Sequence, residues 1–144
     1  MGKMIHILLV EDNEGDILLA TEALRAGKIA NEISVVKDGQ DAIDFLQRTN
    51  GYESAIIPDL ILLDINLPKI DGKEVLSVIK QDEKLRVIPV VVLTTSSAQE
   101  DILDAYYNHA NCYITKPVDL DKFLDIVHKI ENFWLSVVRL PPKN

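Results

Sequence analysis

Two acids stand side by side at Glu11-Asp12 and a third stands at Asp64, each directly after a short apolar run. Residues 7–10 read Ile-Leu-Leu-Val straight into Glu11, and residues 60–63 read Leu-Ile-Leu-Leu into Asp64. Two further apolar runs end on other polar groups: "IPVVVLT" reaches the hydroxyl of Thr94, and "CYITK" reaches the ammonium of Lys116. If the three acids share one cleft, two of them about 4 Å apart repel by about 4 kcal/mol at an effective dielectric of 20. Either one carboxylate then holds a proton or a cation sits among them. A small set of hard oxygen ligands suits Mg²⁺, which keeps several waters and leaves room for a phosphate. Thr94 and Lys116 would meet phosphate oxygens from the other side of the cleft, the lysine as a compact point charge. Asp64 is then the candidate nucleophile, a carboxylate of the kind that forms acyl phosphates. Each residue also has a plainer use, because acids and threonines cap helices and a lone lysine is usually solvated. Acids on two strand ends with a hydroxyl and an ammonium on two more favour the chemical reading.

For these ends to meet, strands and helices must alternate. Apolar runs rich in β-branched residues recur at 5–10, 33–36, 60–63, 89–93 and 112–114. Several are continuous rather than alternating, as in strands covered on both faces. Helical spacing fills the gaps. Ile17, Ala20 and Leu24 share one face, with Arg25 and Lys28 near the end and Gly27 as a stop. Later stripes are Ala42, Ile43, Phe45 and Leu46; Val75, Leu76 and Ile79; Ile102, Leu103 and Tyr106; and Leu120, Phe123, Leu124, Val127, Ile130 and Trp134. Five strands alternating with five helices predict a doubly wound α/β domain with a parallel sheet and right-handed crossovers. In such sheets functional groups gather beyond the carboxyl ends of the strands, where the strand order reverses. Under the common order 2-1-3-4-5, strands one and three flank that point and bring the three acids together.

Composition narrows the class. The 144 residues fit one domain, without linker, repeat or low-complexity stretch. A formal net charge of -8 argues against sequence-independent nucleic-acid binding, which needs a basic face. No apolar run approaches the roughly 20 residues that span a bilayer, and the first run is cut off by Glu11-Asp12, unlike a signal peptide. Cys112 is the single cysteine and cannot form an internal disulfide. His6, His109 and His128 are far apart and lack metal-ligand spacing. A cytoplasmic protein without direct nucleic-acid or membrane contact is the expectation.

The set Glu11-Asp12, Asp64, Pro68, Gly72, Thr94 and Lys116-Pro117, in that order and spacing, resembles the receiver domain of two-component response regulators. Residues 1–134 are assigned to it, with 135–144 as a C-terminal extension. The resemblance implies a flavodoxin-like, five-stranded fold like that of the single-domain chemotaxis regulator. It implies that Asp64 accepts a phosphoryl group from the histidine of a partner kinase. It further implies Mg²⁺ bound directly by Asp12 and Asp64, by Glu11 through a metal-bound water, and by the main-chain carbonyl of Asn66. Thr94 would bond one phosphoryl oxygen and Lys116 another, and Tyr113 matches the aromatic position that moves with Thr94 in the switch. Thr95 departs from the usual Ala, Ser or Gly, and its methyl would narrow access to Asp64.

With no output domain after the last helix, the expected role is a phosphoacceptor switch signalling through protein contacts, and not an enzyme beyond its own phosphorylation and dephosphorylation. The stretches "IENFWLSVVRLPP", "DINLPKIDGKEVL" and "VVVLTTS" are similar to the small regulators paired with phytochrome-type histidine kinases. That narrower resemblance implies a homodimer through helix 4, strand 5, helix 5 and the C-terminal tail. Phe133, Trp134, Leu135, Val137, Val138 and Leu140 make the end densely apolar. The tail folding back over its own last helix is the alternative. Two other classes compete with this reading. A phosphohydrolase of the haloacid-dehalogenase sort usually has a second aspartate two residues after its nucleophile, where this chain has Asn66. A scaffold-only receiver would lack Asp64 or Lys116, and both are present.

Overall fold

Strands that are apolar at every position need cover on both faces, and the fold supplies it. The structure, a computed structural model, describes residues 5–26, 31–94 and 112–116, together with Asp121 and Asp125. The elements in order are β1 (Ile5–Val10), α1 (Glu14–Ala26), β2 (Asn31–Val36), α2 (Gly39–Gln47), β3 (Leu60–Asp64), α3 (Gly72–Gln81), β4 (Val90–Thr94) and β5 (Cys112–Thr115). The five strands are parallel and run in the order β2-β1-β3-β4-β5, as the sequence reading expected.

Successive side chains of a strand point to opposite faces, and this divides each run between two cores. Ile7 and Leu9 of β1, Leu60 and Leu62 of β3, and Val91 and Leu93 of β4 pack with Ala20, Ala23 and Leu24 of α1. Leu8 and Val10, Ile61 and Leu63, and Val90 and Val92 pack instead with Ala42, Phe45 and Leu46 of α2 and Val75, Leu76 and Ile79 of α3. Leu8, Leu9 and Leu63 have no exposed surface. Fully burying one such side chain contributes about 1.5–3 kcal/mol relative to leaving it exposed. The fold therefore rests on side chains whose only role is to be covered.

Observed boundaries differ from the sequence reading by a residue or two. β2 starts at Asn31, β3 includes Asp64, β5 runs to Thr115, and β4 starts at Val90. Pro89 lacks an N–H for the ladder, yet its carbonyl still accepts from the Ile61 amide at 3.0 Å. Helix starts are set by short polar side chains. Asp38 accepts from the Asp41 amide at the head of α2, and Asp71 accepts from the Glu74 amide at the head of α3. The helices expected around Ile102 and Leu120 lie outside the described residues, apart from helical Asp121 and Asp125. So do Gly27 and Lys28, Thr95, Pro117, His109, His128 and the extension 135–144, together with the side chains of Cys112, Thr94 and Tyr113. Most of the expected dimer face falls there too.

Two glycines seat the loop that follows β3. A Cβ on Gly72 would lie 2.2 Å from the carbonyl oxygen of Asp64 and 2.6 Å from the Cα of Ile65. A Cβ on Gly39 would lie 1.9 Å from the carbonyl oxygen of Ile70. Both obstacles are backbone, which cannot swing aside as a flexible side chain can. Gly72→Ala is therefore expected to lower stability by about 1–3 kcal/mol, the usual cost of overpacking. Urea denaturation measures this, and an unchanged midpoint would contradict the fit described.

Candidate functional site

β1 and β3 are neighbours, with Val10 paired to Leu63, so the next residues, Glu11 and Asp64, leave the sheet side by side. Asp64 in turn pairs with Leu93, and Thr94 with Thr115, one residue short of Lys116. The switch point of the sheet thus collects the polar strand ends picked out from the sequence.

Glu11 is fully buried and Asp64 is 2% exposed, while Asp12 is exposed. One carboxylate oxygen from each of the three can come within 4.8 Å of the others. Glu11 Oε1 accepts from the backbone amides of Asp12 and Asn13, both at 3.1 Å. This folds the side chain back over its own loop and braces it. Glu11 Oε2 faces the Lys116 ammonium at 2.7 Å. That contact is an ion pair by distance, although no partner reaches Oε2 at a hydrogen-bonding angle. Asp64 is held from both sides: the Asn66 amide donates to Oδ1 at 3.0 Å, and Lys116 Nζ donates to Oδ2 at 3.0 Å.

The Lys116 ammonium also donates to Asp16 Oδ2 at 3.2 Å. Asp16 was not singled out in the sequence. It is one of two acids in the first turn of α1, with Glu14 the other. The Asp16 amide donates to Asn13 Oδ1 at 2.9 Å, an N-cap contact at the head of α1 that was legible as an Asx residue before a helix.

Charge in the cleft is unbalanced. Among the described residues, Glu11, Asp12, Asp16 and Asp64 face one ammonium. Burial pushes the Glu11 carboxyl up to about 7, against the downward pull of Lys116, with the neighbouring Asp64 adding to the rise. Burial pushes the Lys116 ammonium down, but its contacts with Glu11 and Asp64 reverse this and leave it above the usual lysine range. Even with Glu11 protonated, three acids exceed one cation. Oxygen donors in this number and closeness fit a divalent metal ion of the hard class, and Glu11, Asp12 and Asp64 are the residues to hold it. Among the described residues, the Lys116 ammonium is the positive group that these acids contact.

Residues 7–128 match the model of the response regulator receiver domain. The chain is a response regulator receiver. This receiver is 49% identical over 135 residues to response regulator Rcp1 of Synechocystis sp., covering 94% of the chain and 92% of Rcp1. The Mn²⁺-bound form of Rcp1 has a solved structure, with TM-score 0.77, 48% identity and coverage of 91% of this receiver and 94% of that chain. The phosphorylated cyanobacterial phytochrome response regulator RcpA matches with TM-score 0.79 and 50% identity, over 94% of this receiver and 96% of that chain. The probable methanogenesis regulatory protein FilR2 of Methanothrix harundinacea is 43% identical over 135 residues, 94% of this receiver and 86% of FilR2.

Removing the ammonium from this receiver leaves Glu11 and Asp64 buried without it. Lys116→Met in metal-free buffer is expected to lose about 3 kcal/mol of stability, the scale of a broken buried ion pair. A divalent cation should restore part of that loss. A urea midpoint equal to that of the unsubstituted chain would refute the role given to Lys116.

Proposed function

We infer that this chain is the phosphoacceptor of a two-component phosphorelay and that Asp64 takes the phosphoryl group from a sensor histidine kinase. The observation carrying this reading is the seating of Asp64. It is a buried carboxylate at a strand end, fixed by the Asn66 amide and the Lys116 ammonium beside two further acids. Phosphoryl transfer asks chiefly for positioning and charge neutralisation, and these contacts provide both. An Asp64 oxygen attacks phosphorus, a P–O bond forms, and the P–N bond to the donor imidazole breaks. The electron pair of that bond stays on the imidazole nitrogen, which is protonated as it leaves. Lys116 offsets negative charge on the phosphoryl oxygens, and Thr94, which ends β4, donates its hydroxyl to another.

Glu11, Asp12, Asp64 and the main-chain carbonyl of Asn66 would hold Mg²⁺, with Glu11 acting through a metal-bound water. When bound, the ion neutralises charge on the phosphoryl group. The phosphorylated RcpA and the Mn²⁺-bound Rcp1, both about half identical to this chain, support the assignment by analogy. The product adds up to about two negative charges at neutral pH. Thr94 and then Tyr113 respond, and the change is read at the surface by another protein. The chain is in this reading a cytoplasmic switch that catalyses only its own phosphorylation and dephosphorylation.

A phytochrome-type kinase is the donor this reading favours, through RcpA, whereas FilR2 carries comparable similarity under a different regulatory description. Leu18 and Leu19 of α1, two and three residues after Asp16, are 57% and 43% exposed, which suits an apolar landing for the kinase. Residues 1–134 form the receiver, and 135–144 extend it into a homodimer contact with helix 4, strand 5 and helix 5.

A small phosphodonor with Mg²⁺ is expected to add one phosphoryl mass to the intact chain and none to Asp64→Asn. Mass spectrometry decides this, and a mass gain surviving in Asp64→Asn would refute the assignment. Deleting residues 135–144 is expected to weaken self-association in sedimentation velocity. An unchanged sedimentation profile would remove the tail from the dimer.

A further inference from the structure

Lys116 has three N–H bonds, and three carboxylates surround it, at 2.7 Å for Glu11, 3.0 Å for Asp64 and 3.2 Å for Asp16. These partners are not equivalent. Glu11 has no exposed surface, and its Oε2 has the ammonium at 2.7 Å but no hydrogen-bond partner. Asp64 is the reacting group. The Asp16 side chain is 30% exposed at the rim of the cleft, on the first turn of α1, where water can replace the lysine. Its backbone is fixed by Asn13, so its place beside Lys116 follows from how the helix starts.

We propose that Asp16 is a positioning residue that holds the Lys116 ammonium in the unphosphorylated state and competes with the phosphoryl group for it. This rests on Asp64 being the acceptor. A phosphoryl oxygen that reaches Nζ of Lys116 brings a second anion next to the Asp16 carboxylate. Either the two anions share the ammonium at close range, or Asp16 gives up its ion pair and turns to water. Both routes disfavour the phosphorylated state relative to the unphosphorylated one. Asp16 therefore limits how far the phosphoaspartate accumulates. A general effect of acidity would act differently. An acid that merely adds to the negative field strengthens cation binding, and its removal weakens the whole site. Glu14 supplies the control, since it lies in the same first turn but pairs with Lys37.

The test measures beryllofluoride binding, as a phosphoryl mimic, by calorimetry and ¹⁹F NMR at saturating Mg²⁺ on the full chain. Asp16→Asn and Asp16→Ser are expected to tighten it about threefold to fivefold, the release of one part-exposed ion pair. Glu14→Gln is expected to leave it within a factor of about 1.5, as its pair is solvated. Unchanged or weaker binding in both Asp16 variants overturns the proposal, as does equal tightening in Glu14→Gln. If the unsubstituted chain binds no beryllofluoride, or Asp64→Asn binds it equally well, the acceptor assignment itself fails. The two failures are thus distinguishable.

Discussion

One ammonium holds this cleft together. Lys116 enters from the end of β5 and meets acids delivered by β1, β3 and α1. Without it, Glu11 and Asp64 would face each other as buried like charges, a costly arrangement at any plausible interior dielectric. The sheet order makes the meeting possible, since β1 and β3 are adjacent and β5 lies two strands further along the same edge. The residual negative charge left after Lys116 is counted is what makes the site receptive to a metal ion. Affinity for a cation arises from that imbalance, and the Lys116 ammonium offsets only part of it.

Rigidity is built around that arrangement by short backbone contacts. Glu11 spends one oxygen on the amides of Asp12 and Asn13, so the loop that presents Asp12 is braced by its own neighbour. The loop after Asp64 is seated between Gly39 and Gly72, where even a methyl group would collide with main chain. Lys69 reaches across to the Asp38 carboxylate that caps α2, at 3.3 Å. A site that must hold several side chains in one geometry gains from such support, because small displacements at reacting atoms carry large penalties in rate.

Much of this was legible in the sequence, for identifiable reasons. The continuous apolar runs at 7–10 and 60–63 announced buried parallel strands, and their abrupt ends at Glu11 and Asp64 announced the site. Strand order was not readable from periodicity and came from the known doubly wound arrangement, which the structure matches. Asp16 escaped notice because nothing local separates it from an ordinary first-turn acid. Only the fold brings it to Lys116, a hundred positions away. Asp44 was hidden in the same way. It lies buried in α2 and accepts from Gln40, Thr49 and Asn50, organising the start of the connection to β3. Local pattern identified what each element buries, but a polar side chain's partner is decided by tertiary placement.

The distribution of the cleft along the chain has a consequence for synthesis. Its acids are made early, within the first 64 residues, while the lysine that compensates them comes at position 116. A nascent chain emerging from the ribosome carries Glu11 and Asp64 long before their counter-ion exists. β5 cannot pair with β4 until that late segment is translated, so a half-made chain has no assembled cleft. A product that stopped before position 116 would carry the buried acids without the charge that faces them.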